Sequence, residues 1–180
     1  SEGSLAVLDS IVGLPPDTTY SDVTVSNGLT YYYQVKAHDL VGNTSDGSNI
    51  ALAIPRGLIY VDGSTGSDDT GIGSISLPYL TVQNAIQQAT SGDTIYVKPG
   101  TYQENIDFLG KWVSIISTEG KDNTILQSDG TGTVVNAENG EDSQVELAGF
   151  TIQNAEYGIY MAANASPTIR DCYITLTNYP

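Results

Sequence analysis

The sequence predicts an all-β protein whose larger, C-terminal part is a solenoid of short strands, and three observations support this fold class. Apolar residues recur at a fixed offset through the C-terminal third of the chain. Only one stretch has the apolar spacing of an amphipathic helix. Glycine, asparagine, serine and aspartate separate the other apolar runs, which is typical of turns between strands.

Composition narrows the classes of function before any motif is considered. The 180 residues include 21 acidic and 6 basic side chains, which give a formal net charge of −15 at pH 7. Nucleic-acid binding needs a basic face, so we expect no nucleic-acid partner. A single cysteine, Cys172, excludes an internal disulfide and a cysteine-based zinc site. No apolar run is long enough to span a bilayer, so we expect no membrane insertion.

The composition also indicates where the protein acts. It is acidic, poor in lysine and rich in threonine, serine, asparagine and glycine, as is typical of secreted bacterial proteins. We therefore expect an extracellular or cell-surface location. The first ten residues, SEGSLAVLDS, lack the basic start and continuous apolar core of a signal peptide. If the protein is exported, its signal lies outside this sequence.

The N-terminal segment, residues 1–56, has strand and turn patterns of its own. One face of a predicted strand carries Tyr31, Tyr33, Val35 and Ala37, with polar turn residues before and after it. A second strand is predicted at residues 50–54. The run YYYQVKAHD, with Val25 before it, resembles the penultimate strand of a fibronectin type III module, and Tyr31 takes the tyrosine-corner position. TTYSDVTV and NIALAIP resemble the flanking strands.

That resemblance implies a partial β-sandwich, because the early strands of the fibronectin type III family have no counterpart in the sequence. We therefore expect the chain to begin inside a module of a longer protein. From Leu58 onward the pattern changes to a short strand, a long polar loop and then the predicted helix. The apolar stripe of this helix has the spacing i, i+3, i+4 and i+7, at Val82, Ala85, Ile86 and Ala89. Thr81 is the predicted N-cap, and Gly92 is the predicted stop.

The repeat becomes clear when residues 147–152 are aligned with residues 169–174, an offset of 22 (169 − 147 = 22). The aligned pairs are Leu147 with Ile169, Phe150 with Cys172, and Ile152 with Ile174. Strands without helices in so short a repeat predict a β-helix, in which each coil buries its inner residues by stacking on the next. The residues expected to be buried are Ile115, Phe150, Ile152, Cys172 and Ile174.

Two longer runs resemble right-handed parallel β-helix proteins of the pectate lyase and pectinesterase kind. The first extends from YVDGSTGSDDTG through SGDTIYVKPGTYQENI, and the second is SPTIRDCYIT. In that group an amphipathic helix, here Val82–Ala89, caps the apolar end of the coil. The resemblance implies that residues 57–180 form the N-terminal part of such a β-helix. The repeat pattern continues up to the last residues, TLTNYP, so we expect further coils in a longer protein. We also expect the isolated chain to associate through its open edge.

The resemblance implies a polysaccharide-acting protein, and each chemistry known on this fold needs a recognisable set of residues. Lyases of the family use an arginine or lysine base, usually with Ca²⁺, whereas the hydrolases use paired aspartates. Pectinesterases use an aspartate nucleophile with a second aspartate, glutamines and an arginine. No paired aspartates on a predicted strand and no QDTL-like run occur. Arg170 is the only candidate base on a regular strand of the repeat. The alternative is an outer-face arginine paired with Asp171 or with a neighbouring coil.

Other candidate ligand contacts are few. Asp62, Asp68 and Asp69 could bind Ca²⁺, because closely spaced oxygen ligands in a loop suit this ion, but the same residues could simply form the turns of the loop. Trp112 could stack on a sugar or cover the flank of the coil. Cys172 is expected to be a small buried apolar residue rather than a nucleophile.

Two functional hypotheses remain. In the first, the chain is a fragment of a secreted, multimodular polysaccharide-acting protein that is most similar to β-helix polysaccharide lyases. Its partner would be an extracellular polysaccharide, and a uronate-containing polymer is one option. In the second, it is a non-catalytic β-helix surface protein, adhesin or carbohydrate-binding structural module. Whether the parent protein is an enzyme stays open. This chain alone is expected to be inactive, because Arg170 lacks a neighbouring acidic cluster that would bind Ca²⁺ and neutralise a uronate.

Overall fold

The structure is a computed structural model of the chain, and it describes residues 21, 22, 24, 25, 29–53 and 55–175. The chain divides into two compact units, with the boundary between Pro55 and Arg56. This boundary lies one residue before the predicted one, although the assignment of the two units as separate kinds of domain stays a prediction.

The described part of the N-terminal unit contains a sheet of two short antiparallel strands, β1 (Tyr31–Tyr33) and β2 (Ala51–Ala53). Tyr31 and Tyr33 are partly buried while Tyr32 is exposed, as the predicted alternation requires. The second predicted strand is confirmed at Ala51–Ala53. Residue 54, half of TTYSDVTV and the first twenty residues lie outside the described residues. One strand pair does not test the fibronectin type III resemblance.

The predicted face of β1 does not continue to residues 35 and 37, since Val35 and Ala37 are both exposed. The carbonyl oxygens of these two residues still accept from the backbone N–H groups of Ser48 and Ser45, but their N–H groups donate to serine hydroxyls. The Val35 N–H donates to Ser48 Oγ at 3.0 Å, and the Ala37 N–H donates to Ser45 Oγ at 2.9 Å. Local side-chain bonds of this kind compete with strand pairing, so the regular strand ends earlier than the sequence predicts.

The described part of the C-terminal unit contains three parallel sheets and one helix. The helix is α1 (Val82–Gln88). The strands are β3 (Leu58–Val61), β4 (Thr94–Val97), β5 (Gly100–Gln103), β6 (Ile106–Asp107), β7 (Ser114–Ser117), β8 (Thr124–Gln127), β9 (Thr133–Ala137), β10 (Glu146–Ala148), β11 (Thr151–Gln153), β12 (Tyr157–Met161), β13 (Thr168–Arg170) and β14 (Tyr173–Ile174).

Successive strands cycle through the three sheets. The first sheet has the order β3-β4-β7-β10-β13, the second β5-β8-β11-β14, and the third β6-β9-β12. Each strand from β7 onward therefore pairs in parallel with the strand three places earlier, so that three strands form one layer and the next layer stacks on it. This all-β arrangement with one helix is compatible with a parallel β-helix.

Strand register confirms the 22-residue offset in the last two layers. Leu147 pairs with Ile169, and Ile152 pairs with Ile174. In the first sheet, however, Thr94, Ser114 and Glu146 lie in one column at spacings of 20 and 32 residues (114 − 94 = 20, 146 − 114 = 32). The connections between strands absorb these differences, which explains why the upstream sequence shows no clean period.

The core lies between the sheets and under α1. Ile115, Phe150 and Ile152 are completely buried, as predicted. Cys172 is half-buried against the core, and burial raises the pKa of its thiol. The prediction for Ile174 is wrong, because this side chain is 47% exposed. Among the described strands β14 pairs only with β11, so nothing described stacks on the other side of Ile174.

Helix α1 begins where the sequence predicts but is closed differently. Thr81 Oγ1 accepts a hydrogen bond from the Asn84 N–H at 3.2 Å, which confirms the N-cap. The C-cap is Ala89 rather than a residue at Gly92. Lys111 Nζ donates to three carbonyl oxygens at this end, at 2.6 to 2.9 Å, and the positive charge suits the helix C-terminus. No helix in the described part is long and apolar enough to cross a membrane.

Candidate functional site

Arg170, the candidate base, ends β13 and is held by two carboxylates. Its Nε donates to Glu146 on the neighbouring strand β10, and its Nη1 donates to Asp171 Oδ2 at 3.0 Å. Glu146, and then Asp171, raise the pKa of the guanidinium. A more strongly protonated guanidinium is a poorer proton acceptor. The outer-face ion pairing that the sequence left as the alternative is present, and a catalytic role for Arg170 stays a prediction.

Asp171 has a conformational role beside its ion pair. Its φ of 53° lies in the left-handed region, where aspartate is tolerated better than most residues. Gly149, one 22-residue repeat earlier, occupies the equivalent corner with a φ of 80°. Both residues let the chain turn from the first sheet into the second. The acidic residue next to Arg170 is therefore explained by the corner as well as by charge.

Asp62, the first candidate calcium ligand, is a buried carboxylate whose two oxygens are both occupied. Oδ1 accepts from the Ser64 N–H and hydroxyl at 2.9 and 2.7 Å and from the Thr65 N–H at 3.2 Å. Oδ2 accepts from the Thr65 hydroxyl at 2.7 Å and from Lys98 Nζ at 3.0 Å. Burial raises the pKa of Asp62, but the hydrogen bonds from these three residues together hold it well below its usual range.

Asp68 performs a similar task at the start of α1. Its Oδ1 accepts from the Leu80 and Thr81 N–H groups at 2.9 and 3.2 Å, and its Oδ2 accepts from the Thr81 hydroxyl at 2.7 Å. Asp69 is exposed. Among the residues that the structure describes, no three His, Cys, Asp or Glu side chains are grouped to hold a metal. Calcium binding by Asp62, Asp68 and Asp69 stays a prediction, and these contacts assign the first two to turns.

Trp112 lies in the connection between β6 and β7, with 46% of its surface exposed. Its N–H donates to Ser91 Oγ at 3.2 Å, and its carbonyl oxygen accepts from the Gly92 N–H at 2.6 Å. The backbone is therefore fixed to the turn after α1 while the ring stays accessible. Sugar stacking by this isolated ring stays a prediction.

Glu104 caps the N-terminus of α1. It also lines a shallow depression of about 360 Å³ at the turns after β5 and β8. Its two oxygens accept from the Val82 and Gln83 N–H groups at 2.9 and 2.8 Å. Burial raises the pKa of Glu104, and these hydrogen bonds only partly offset that effect. Asp129, in the same depression, binds the Thr131 hydroxyl and N–H. The carboxylates of this depression thus serve capping and turns.

A column of side chains on the outer face of the first sheet was not singled out by sequence reasoning. Strand pairing aligns, in order, Tyr60, Tyr96, Ile116, Ala148 and Arg170. The Tyr60 and Tyr96 rings lie with their centroids 5.8 Å apart and their planes 34° apart, and both are partly exposed. A signal for this pair is present in the sequence, because each tyrosine lies between aliphatic residues of a short strand, in LIYV and TIYV.

A shallow trough of about 380 Å³ runs beside this column. Its lining consists of Arg56, Ser114, Ser143, Gln144, Glu146 and Thr168. The Arg56 guanidinium and the Ser114 and Ser143 hydroxyls have no hydrogen-bonding partner among the described residues. The column and the trough together are called the outer-face site. It can receive a ligand that has both an apolar surface and hydrogen-bonding groups.

Comparison with known proteins assigns the chain to no family. No family model matches it, and neither a curated protein nor a solved structure matches it. The resemblances to β-helix and fibronectin type III proteins therefore rest on the quoted runs of sequence. The parallel sheets with one helix are compatible with the first resemblance.

Proposed function

We propose that residues 57–180 form the N-terminal part of a right-handed parallel β-helix, preceded by a partial fibronectin type III module. The parent is an extracellular or cell-surface, multimodular polysaccharide-acting protein, most similar to β-helix polysaccharide lyases. Within it, this part is a non-catalytic carbohydrate-binding scaffold. The cyclic order of the three sheets, the 22-residue register and the packing of α1 against the core support the β-helix.

The single observation that carries the non-catalytic role is the ion pairing of Arg170. A lyase base must accept the proton next to a uronate carboxylate, and general bases work best when their pKa lies near the operating pH. Glu146 and Asp171 shift the pKa of Arg170 in the opposite direction. The carboxylates that could bind a charge-neutralising cation are also dispersed among turns in the described part of the chain.

The test is a lyase assay on the purified chain with pectate, alginate and other uronans, with and without Ca²⁺. The formation of unsaturated chain ends is followed by ultraviolet absorbance, and no product is expected. Lys121→Ala provides a matched control for Arg170→Ala, because Lys121 is another outer cation paired with a carboxylate, that of Asp122. Product that is formed by the native chain and by Lys121→Ala but not by Arg170→Ala would make Arg170 the catalytic base and overturn the proposal.

Location and partner belong to the same proposal. The acidic, lysine-poor composition supports an extracellular site of action. A fibronectin type III neighbour supports it as well, because such modules act as spacers both in secreted carbohydrate enzymes and in surface proteins. Retention of the chain by immobilised polysaccharide is the expected behaviour, and failure of every polysaccharide to retain it would contradict the binding role.

A further inference from the structure

We propose that the outer-face site binds a neutral polysaccharide chain, with the rings of Tyr60 and Tyr96 as its stacking surface and the adjoining trough as its hydrogen-bonding surface. This inference rests on the proposed function, since it names the polymer class and the residues of the same scaffold.

Strand geometry directs both tyrosines outward. In β4, Ile95 and Val97 are completely buried, so Tyr96 between them faces the opposite side of the sheet. On β3, Tyr60 pairs in register with Tyr96 and therefore faces the same side of the sheet. Neighbouring strands lie about 4.8 Å apart, so the two rings offer consecutive contacts along the direction in which strands stack. The apolar C–H face of a pyranose packs on an aromatic ring, and a polymer running along this direction would place successive sugars over successive strands.

The trough supplies the polar half of such a site. Ser114 and Ile116 both point outward on β7 and are two residues apart, which separates the trough from the apolar column by roughly 7 Å. Within the described part of the chain, the unpaired groups of the trough are the Ser114 and Ser143 hydroxyls, which donate and accept, and the Arg56 guanidinium, which donates. Sugar hydroxyls need partners of both kinds. A polymer that stacks on the column can therefore also form hydrogen bonds along its edge.

The charge distribution selects a neutral polymer. In the described part of the C-terminal unit the cations are Arg56, Lys98, Lys111, Lys121 and Arg170. All except Arg56 are held by carboxylates or by the carbonyl oxygens of α1. A polyuronate carries a carboxylate on every sugar and needs successive cations to neutralise them. Among the described residues of the site, Arg170 is already paired with two carboxylates, and Arg56 is the one unpaired cation. The net charge of −15 also repels a polyanion as a whole.

Affinity electrophoresis of the 180-residue chain tests this inference. Native gels contain xylan, glucomannan or hydroxyethylcellulose in one set, and pectate or alginate in the other. We expect at least one neutral polymer to retard the chain, with no change on adding salt, and the polyuronates to leave its mobility unaltered. Tyr60→Ala and Tyr96→Ala should each weaken binding about fivefold to tenfold. Tyr96→Phe should retain it, because the stacking ring remains.

Two further variants separate a lost contact from a lost fold. Tyr96→Thr keeps a good strand-forming residue without the ring and should bind as weakly as Tyr96→Ala. Tyr160→Ala removes an exposed ring on β12, outside the site, and should bind like the native chain. The far-ultraviolet circular dichroism and melting of every variant are recorded beside its mobility.

The outcomes distinguish the inference from the function on which it rests. Retardation by a neutral polymer that persists in both tyrosine-to-alanine variants would overturn the site but keep carbohydrate binding. Salt-sensitive retardation by pectate or alginate would overturn the neutral class. Absence of retardation by every polymer would overturn both this inference and the proposed binding function.

Discussion

The inner and outer faces of the first sheet are made by the same five strands but follow different rules. The inner column is aliphatic at every level: Ile59, Ile95, Ile115, Leu147 and Ile169. The outer column changes its chemistry from strand to strand: Tyr60, Tyr96, Ile116, Ala148 and Arg170. Stacking requires that each inner residue fill the space against the next layer, whereas outer residues carry no such requirement. Stability is therefore expected on one face and recognition on the other.

The largest effect should follow from a cavity in the inner column. Ile115 is completely buried, and Ile115→Ala should lower the free energy of unfolding by about 2–5 kcal/mol, because apolar contacts are lost and the space is refilled only in part. Urea denaturation followed by circular dichroism measures the change. The neighbouring outer residue supplies the control, since Ile116→Ala should cost less than about 1 kcal/mol. Equal losses would show that the two faces contribute alike to stability.

The corner at the end of β3 differs from the inner face, because a buried carboxylate is stabilised there by hydrogen-bond donors rather than by apolar packing. Asp62→Asn should lower the free energy of unfolding at pH 7 by about 1–3 kcal/mol, since hydrogen bonds to a charged group are lost. The pKa of Asp62 is lower in the folded chain than its ordinary value of 3.8. Its contribution is therefore complete above that value and is lost as the pH falls through it towards the folded pKa.

Urea denaturation between neutral and strongly acidic pH checks this prediction. The curves of the native chain and of Asp62→Asn should converge as the pH falls below 3.8. Asp122→Asn is the control, because Asp122 is an exposed carboxylate that pairs with Lys121. Curves for Asp62→Asn and the native chain that stay parallel at every pH would show that Asp62 does not titrate as its contacts require.

A smaller effect is expected at the C-terminus of α1, where a long-range contact stabilises the helix. Lys111→Met keeps much of the side-chain length but removes the bonds to the last carbonyl oxygens, which should cost about 1–2 kcal/mol. Amide hydrogen exchange of residues 82–89 should accelerate. Lys121→Met, which removes an exposed cation, should leave that exchange unchanged. Unaltered protection of α1 in Lys111→Met would refute the capping role.

The smallest effect on stability is expected from Arg170→Ala. Arg170 is half exposed, and ion pairs in such positions contribute little because solvent screens them. The thermal midpoint of the Arg170→Ala variant should be indistinguishable from that of the native chain in a melt followed by circular dichroism. A clear loss of stability would give the outer column a structural role and weaken the contrast between the faces.

The inner face could be predicted from the sequence because it depends on patterns that recur locally. The apolar stripe of Val82–Ala89 and the pairing of Leu147 with Ile169 are visible in the order of residues alone. Exposure of Ile174 could not be predicted, since it depends on which strands stack beside it. The Tyr60–Tyr96 pair and the cap formed by Lys111 join residues that are far apart in the chain. Strand register brings the two tyrosines together, and the likeness of LIYV to TIYV does not by itself show that these strands pair. The connection between β6 and β7 brings Lys111 to α1.

Sugar binding on the outer face of the first sheet can be observed directly in amide proton–nitrogen correlation spectra of the native chain, recorded during titration with xylo-, manno- and cello-oligosaccharides. We expect concentration-dependent shifts of the amide signals of Tyr60, Tyr96 and Ile116 and of the residues along the trough, while the signals of the inner column move little. Shifts confined to β12 or to Trp112, with the first sheet unaffected, would contradict sugar binding on this face.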